Sequence, residues 1–528
     1  MTQPQEDDVT PQSQTPATTP EPTPGPSRRG LLLGAAAAVL AAGPLTATAA
    51  RAATTGAAAA PAAAAARTPK VLVIGLDGTM LNRIKDAGTT SLAALMAGGL
   101  TAAGSLYTSP MAGTSSGPGW STVATGVWPD KHNVRDNDFT APAFAAYPDF
   151  LTRAETARPA LNTYVVASWA PIAATIYSGR VDTRVATPSA EYDAGTTSRA
   201  VARLRDTDPD AVFVQLDNVD HAGHSSGSAS AAYLDAIRGV DAQVGQILAA
   251  VRGRASYAQE DWLIMVTADH GHTPTGGHGG STWEERQTFV IANGSAFPAG
   301  SVRYDVRMVD IAPTALAHLG IALDPAWGLD GSPIPSLVPD AFDALRPQLT
   351  GRVDETGIAA GVLGFTHTPP SGWSVDNSAM GTGGVTEWRG WSFTTDEFWT
   401  KAQRDQSREL NVRSRNVFAV ADSDEWADKT FKGGYDSTLV TPEYPVAGLA
   451  TVPVSFTTYY RPEGAQTAQV LAVWDGGTPV QVKSYTADTN GVQTFGLAVP
   501  AGASRLRLRF RYTGGNNWYW VLDNVRVG

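Results

Sequence analysis

Two short segments hold most of the histidine in this sequence, and carboxylates accompany it in both. The first is Asp217-Asn218-Val219-Asp220-His221-Ala222-Gly223-His224. The second is Asp269-His270-Gly271-His272, followed by Gly277-His278-Gly279-Gly280. Five of the chain's eight histidines fall in them. Carboxylate oxygen with imidazole nitrogen is the donor set that zinc takes, and less selectively manganese. A lone histidine is commonly a core residue, but five crowded into acidic, glycine-rich loops point to a metal centre. A third stretch, Thr114-Ser115-Ser116-Gly117-Pro118-Gly119-Trp120, supplies hydroxyls. Pro118 suits a first helical turn, where its missing N–H has no partner to lose. Ser116 then lies at a helix N-terminus beside unpaired amides, a place that favours oxyanions. Thr114 and Ser115 are alternative nucleophiles, but the spacing to Pro118 favours Ser116. A hydroxyl bound to a divalent cation becomes a nucleophile at neutral pH, so the chemistry suggested is metal-assisted attack on an anionic ester.

These groups need a scaffold that brings them together. Lys70-Val71-Leu72-Val73-Ile74-Gly75-Leu76 reads as a strand buried on both faces, ending in Asp77-Gly78. Further strands are predicted at 101–107, 163–168, 211–216, 262–267 and 288–291, with helical patterns at 91–96, 197–204 and 230–251. The alternation predicts an α/β sandwich around a mostly parallel sheet, whose ligands gather beyond the carboxyl ends of the strands. Three predicted strands end in acids: Asp77, Asp217 with Asp220, and Asp269.

From about Val353 the pattern changes to short alternating runs such as 455–460, 470–474 and 506–512, broken by glycine and proline. This predicts an antiparallel, jelly-roll-like β-sandwich. Trp373, Trp388, Trp391 and Trp399 fit its core better than a sugar-stacking surface. Asp422, Asp424, Glu425 and Asp428 form either a structural calcium (Ca2+) site or a solvated acidic loop. Over 528 residues the net charge is −11, which argues against binding of duplex nucleic acid. Residues 1–52 read as a disordered N-region followed by a twin-arginine export signal around Ser27-Arg28-Arg29-Gly30-Leu31-Leu32. Its apolar run is too short to span a bilayer, so a secreted product with no transmembrane anchor is expected. Residues 53–68 form a linker, 69–345 the catalytic domain and 353–528 an accessory domain. There is no cysteine, so disulfides contribute nothing.

Gly75-Leu76-Asp77-Gly78, the serine stretch ending Thr125-Gly126-Val127-Trp128-Pro129-Asp130-Lys131-His132, the Asp220/His224 pair, Asp269-His270-Gly271 and Val309-Asp310-Ile311-Ala312-Pro313-Thr314-Ala315-Leu316 together resemble the alkaline phosphatase superfamily. The likeness is to its type I phosphodiesterase/nucleotide pyrophosphatase branch, over about residues 69–337. The resemblance implies two zinc ions (Zn2+, with Mn2+ as the substitute). Asp77, Ser116, Asp269 and His270 would hold the one that activates the nucleophile. Asp220, His224 and a third histidine would hold the other, with His278 preferred and His272 second. It implies a phosphoseryl intermediate, with Asn137 and the Gly117 amide binding phosphate oxygens. Trp120, Trp128 and Trp169 would either stack on a base or pack. Serine replaces the branch's usual threonine, and Gly117-Pro118-Gly119-Trp120 replaces its usual Phe-Pro-Asn-His, changing pocket shape more than reaction type. The implied activity is phosphate-diester hydrolysis on a small-molecule or polymer substrate. Phosphomonoester or phosphonate hydrolysis is the alternative. A sulfatase is disfavoured, because no arginine follows Ser116 before Arg135. A different class of reading makes the chain a surface protein that binds a polymer such as cell-wall polysaccharide through its β-sandwich.

Overall fold

In β1 (Thr68–Leu76), Val71 and Val73 point to one side of the sheet while Leu72, Ile74 and Leu76 point to the other. All five are apolar, so the strand is stable only where both faces are covered. Its neighbours β2 (Leu100–Ser105), β3 (Thr163–Ala167), β5 (Ala211–Leu216), β6 (Glu260–Thr267) and β7 (Gln287–Asn293) are likewise mostly buried, whereas the edge strands β4 (Thr183–Ala186) and β8 (Ser301–Arg303) are partly exposed. They form one eight-stranded sheet in the order β4-β3-β5-β1-β6-β7-β2-β8. Only β7 runs against the rest, pairing antiparallel with β6 and β2. The computed structural model describes residues 67–177 and 179–528; the expected export signal and nearly all of the linker lie outside them.

The helices Ser116–Thr125, Phe150–Ala157 and Ile311–His318 cover one face through Trp120, Val123, Phe150, Ile311 and Leu316. Leu81–Ala87, Ser91–Gly98, Tyr192–Asp206 and Ala231–Arg252 cover the other. In the longest, Tyr233, Ile237, Val240, Val244, Ile247 and Val251 recur every three or four residues and are buried. That spacing lays one apolar stripe on the sheet. The Ser230 side chain caps its start by accepting the Tyr233 amide.

Register sets the site. Leu76 pairs with Leu216, and Gly75 with Thr267, so β5, β1 and β6 finish side by side. The Asp77 amide then donates to Leu216 O at 2.9 Å. Asp77, Asp217 and Asp269 leave the sheet at one edge, as their strand ends predicted.

The C-terminal region is the expected sandwich of two antiparallel sheets. One runs Ser374–Asp376, Tyr435–Val440, Arg505–Gly514, Thr467–Trp474, Val480–Tyr485. The other runs Thr489–Ala498, Thr451–Tyr460, Tyr519–Val527, Val417–Asp422, Ser392–Thr395, Phe365–Thr366. Trp373, Trp388, Trp391 and Trp399 are all buried in its core and offer no sugar-stacking platform. The acids considered for calcium are answered by this chain's own cation. The buried Arg408 guanidinium lies 2.6 Å from Glu425 Oε1 and 3.2 Å from Asp422 Oδ2. That corrects the calcium reading, since the charge such an ion would supply is already there.

The described residues form one compact unit, so the sandwich is packed on the α/β layer. Arg415 of the sandwich grips Asp310 of the α/β layer with two hydrogen bonds, 2.7 and 2.9 Å. Asp310 is fully buried. Arg415→Ala leaves that carboxylate with only the Arg307 and Ser332 amides and no cation, and is expected to cost about 3 kcal/mol, read as a fall in Tm. An unchanged Tm would show that water solvates Asp310 without it.

Candidate active site

Asp77, at the exit of β1, is almost wholly buried. Its Oδ2 accepts from Trp120 Nε1 at 2.8 Å and from Gln215 Nε2 at 2.9 Å. Oδ1 is thereby turned toward Ser116 Oγ at 3.5 Å and His270 Nε2 at 3.6 Å. Ser116 opens the helix Ser116–Thr125, and the two glycines of its first turn let that helix sit unusually close. A Cβ on Gly119 would lie 2.7 Å from Asp269 O, and one on Gly117 2.5 Å from Asp136 O. The Gly-Pro-Gly sequence is thus a packing requirement of this corner.

His270 is buried, and its Nδ1 faces the Gly271 carbonyl at 3.1 Å. A carbonyl only accepts, so the proton sits on Nδ1 and the Nε2 lone pair points inward. There it meets three oxygens: Asp269 Oδ2 at 3.2 Å, Ser116 Oγ at 3.3 Å and Asp77 Oδ1 at 3.6 Å. Asp269 Oδ1 accepts from the Gly78 amide at 3.1 Å, whereas Oδ2 is buried without a hydrogen-bond partner. Burial first, then repulsion from Asp269, Asp220 and Asp217, pushes the Asp77 carboxyl well above its ordinary range; burial first, with repulsion from Asp220, does the same to Asp269. Burial likewise pushes the His270 imidazole well below its own.

A second group adjoins the first. Asp220 and His224 stand four residues apart on the helix Asn218–Ser226 and so share a face, with 3.3 Å between Oδ2 and Nε2. His278 reaches them from its glycine loop. Its Nδ1 donates to Thr114 O at 2.7 Å, leaving Nε2 3.0 Å from His224 Nε2 and 3.4 Å from Asp220 Oδ1. Thr114 Oγ1 accepts from the Gly279 amide at 2.9 Å and donates to Gly280 O at 3.1 Å. His272 enters from below, 2.8 Å from Asp220 Oδ1, with its ring pressed on Gly78 and Gly223. Its Nδ1 is buried and unpartnered. Burial would raise the Asp220 carboxyl, but the His272 hydrogen bond and the surrounding imidazoles prevail and hold it at about 2.

Among the described residues two sets therefore converge closely enough for a metal ion: Asp77, Asp269 and His270, and Asp220, His270, His272 and His278. The residues fit divalent cations. Inward lone pairs face one another and face carboxylates with too few protons between them, and one carboxylate oxygen has no other partner.

Some expectations are corrected. Trp120 does not line a substrate pocket; it is fully buried and its indole N–H holds Asp77. Gly75 makes room for that ring, since a Cβ there would lie 2.4 Å from it. Trp128 also packs in the core. The Gly117 amide is not free for substrate, because it donates to Asn137 Oδ1 at 2.7 Å. Asn137 itself is exposed. Trp169 is half-buried and tilted against Phe139, with ring centres 6.0 Å apart. Gln215 is an addition to the sequence reading, and Thr114, an alternative nucleophile there, instead holds the His278 loop. Gln215 had a visible signal, as the only polar residue in the apolar strand Ala211–Leu216.

In the metal-free chain, Asp77 and Asp269 keep protons in the folded state at a pH where the unfolded chain has released them. That share of stability is full at low pH and is lost as pH rises through their raised pKa values. A cation replaces those protons, so its binding strengthens as pH rises. The gain in Tm on adding zinc is expected to widen between about pH 5 and about pH 8. A gain that is flat with pH, or absent, would show that these carboxylates take no metal.

Residues 71–319 match the family described as type I phosphodiesterase / nucleotide pyrophosphatase. GPI ethanolamine phosphate transferase 2, catalytic subunit, of Homo sapiens is 28% identical over 137 residues, 25% of this chain and 14% of the relative. A 2,3-bisphosphoglycerate-independent phosphoglycerate mutase of Streptomyces coelicolor is 31% identical over 160 residues, 28% of this chain and 29% of the relative. The chain thus spans less than a third of either relative's length. Among solved structures, inactive murine ectonucleotide pyrophosphatase / phosphodiesterase 5 in complex with AMP shares 13% identity. The match covers 49% of this chain and 96% of that one, with a TM-score of 0.41. A 2-O GAG sulfatase shares 14% identity over 70% of this chain and 84% of that one, with a TM-score of 0.38. The segment 71–319, whose motifs fold into one corner, is thus similar to the type I phosphodiesterase / nucleotide pyrophosphatase family.

Proposed function

We propose that the chain is a zinc-dependent hydrolase of phosphate diesters, exported through its twin-arginine signal, with Ser116 as nucleophile. The observation that carries this reading is the placement of Ser116 Oγ. It lies at a helix N-terminus, 3.3 Å from the unprotonated His270 Nε2 and 3.5 Å from Asp77 Oδ1. Asp77, Ser116, Asp269 and His270 would hold one zinc ion. Asp220, His224 and His278 would hold the other, with His272 supporting Asp220 from behind. When bound, such a pair lowers the pKa of a hydroxyl and of a water and offsets charge on phosphate oxygens.

The chain's own residues then have separate tasks. Ser116 Oγ passes its proton to solvent and attacks phosphorus in line, and the departing alkoxide takes up a proton from water. The bond to the leaving alkoxide breaks, and phosphoserine forms. Water attacks that phosphorus from the vacated side and restores Ser116. Asn137, whose Oδ1 is engaged by Gly117, has its Nδ2 hydrogens left to bind a non-bridging oxygen. Trp120 and Gln215 hold Asp77 Oδ2 and so aim Oδ1 at Ser116. His278 is aimed by Thr114.

A monoester dianion asks for a cationic clamp more than a diester does. Arg135, in the Asn137 loop, donates instead to the Pro110 carbonyl at 3.1 Å. This favours the diester. The Phe139–Trp169 ring pair follows Asn137 in the same region and favours a flat leaving group, such as a nucleoside or aryl alcohol. Phe139 holds a left-handed φ of 53°, a costly conformation for so bulky a residue and one that clusters at functional sites.

Ser116→Ala is expected to lower turnover of a bis-aryl phosphate by at least ~1,000-fold. A phosphorylated Ser116 should be trapped from the wild type by acid quench. The same protein offered aryl monoester, sulfate and phosphonate at equal concentration should prefer the diester. Full activity of Ser116→Ala would remove the nucleophile, and a preference for another ester would remove the substrate class.

A further inference from the structure

Two loops flank Ser116, and one stretch of the β-sandwich, Asp396–Arg415, grips both. On one side is the loop carrying His278. Ser281 Oγ donates to Asp405 Oδ1 at 2.7 Å. The next turn, Trp283–Arg286, is closed by a capping box between Thr282 and Glu285. Glu285 Oε1 accepts the Gly280 amide at 2.8 Å, and its backbone carbonyl accepts the Gly271 amide at 3.0 Å. That single turn therefore steadies the neighbours of both His270 and His278. Its last residue, the buried Arg286, is held by the sandwich. Nη2 lies 2.9 Å from Asp396 Oδ2, and Nη1 donates to Thr400 Oγ1 at 3.1 Å.

On the other side is the loop that ends in Asn137. It starts at the turn Pro129–His132, where Arg413 Nη2 meets both oxygens of Asp130 at 2.8 and 3.0 Å. Arg413 Nε lies 3.3 Å from Asp330 Oδ1, and Asp330 also accepts the Trp128 amide at 2.9 Å. Within that turn, His132 Nε2 stands 3.0 Å from Thr122 Oγ1, on the helix that Ser116 begins.

The gripping stretch is itself stiff. Arg408 is fixed among Asp422 and Glu425, and its Nη1 donates to Gln403 O at 3.1 Å. Asp405 and Ser407 hold left-handed φ values of 65° and 63°, conformations that persist only where surroundings over-determine them. A mere tether between layers needs none of this.

We infer that the β-sandwich is a working part of the active site, with Asp405 a positioning residue for the His278 half and Arg413 one for the Asn137 half. The two tasks differ, and so do their signatures. The inference rests on the two-metal reading above. Asp405→Ala and Arg413→Gln are made in the full-length chain, each at the edge of the junction and outside the proposed catalytic groups. Asp405→Ala should weaken the looser of two zinc affinities about tenfold, measured by chelator competition, with KM for the bis-aryl phosphate unchanged. Asp405→Asn, which keeps an acceptor oxygen for Ser281, should restore it. Arg413→Gln should leave zinc affinity alone and raise KM several-fold. Wild-type zinc affinity and KM in both variants would overturn the inference, as would equal losses in both readouts with a large fall in Tm. A wild-type chain that takes up no zinc overturns the metal reading and this inference with it, a result distinct from the variant outcomes.

Discussion

The structure depends on an electrostatic conflict at the carboxyl edge of one sheet. Asp77, Asp269 and Asp220 stand with the inward nitrogens of His270 and His278 in a corner from which water is largely excluded. Ionised carboxylates in such a place repel one another and are poorly solvated. Protonating them relieves the repulsion but discards the donor set. Cations relieve it and keep every group charged as its chemistry requires. The surrounding fold resists any third solution, because Trp120, Gln215, the Gly78 amide and His272 hold these carboxylates in place.

Close approach is the second requirement, and glycine supplies it at two levels. Gly119 lets the Ser116 helix press against the Asp269 backbone, and Gly75 lets the Trp120 ring lie on β1. Trp120 can then reach Asp77 from the core side. An indole is a large price in volume for one hydrogen bond, but it also fills the layer between helix and sheet through its contact with Phe213, ring centres 5.9 Å apart. Packing and ligand orientation are here the work of one side chain.

Much of this was legible in the sequence, for identifiable reasons. Strands buried on both faces announce themselves as continuous apolar runs, and the acids at their ends mark the ligand edge. The pairing of Asp220 with His224 came from the family resemblance, and the helix Asn218–Ser226 that explains it stands where the sequence reads as a loop. What was not legible depended on contacts between distant segments. Nothing local distinguishes a tryptophan that stacks on substrate from one that holds a carboxylate, so Trp120 was misassigned. The Gly117 amide looked free because its partner, Asn137, arrives from a loop twenty residues on. The acids around Asp422 resembled a cation site because the cation, Arg408, lies fourteen residues upstream and reads as an ordinary surface arginine. Only the fold brings them together.

The strand Val417–Asp422, which follows the gripping stretch directly, is hydrogen-bonded to Tyr519–Val527 at the far end of the chain. That partner strand begins 201 positions after His318, the end of the last helix of the α/β layer. The loops around Ser116 are thus steadied by a stretch whose own anchor is the strand most distant from them in sequence among the described residues, so a change in Tyr519–Val527 can reach them without touching either loop.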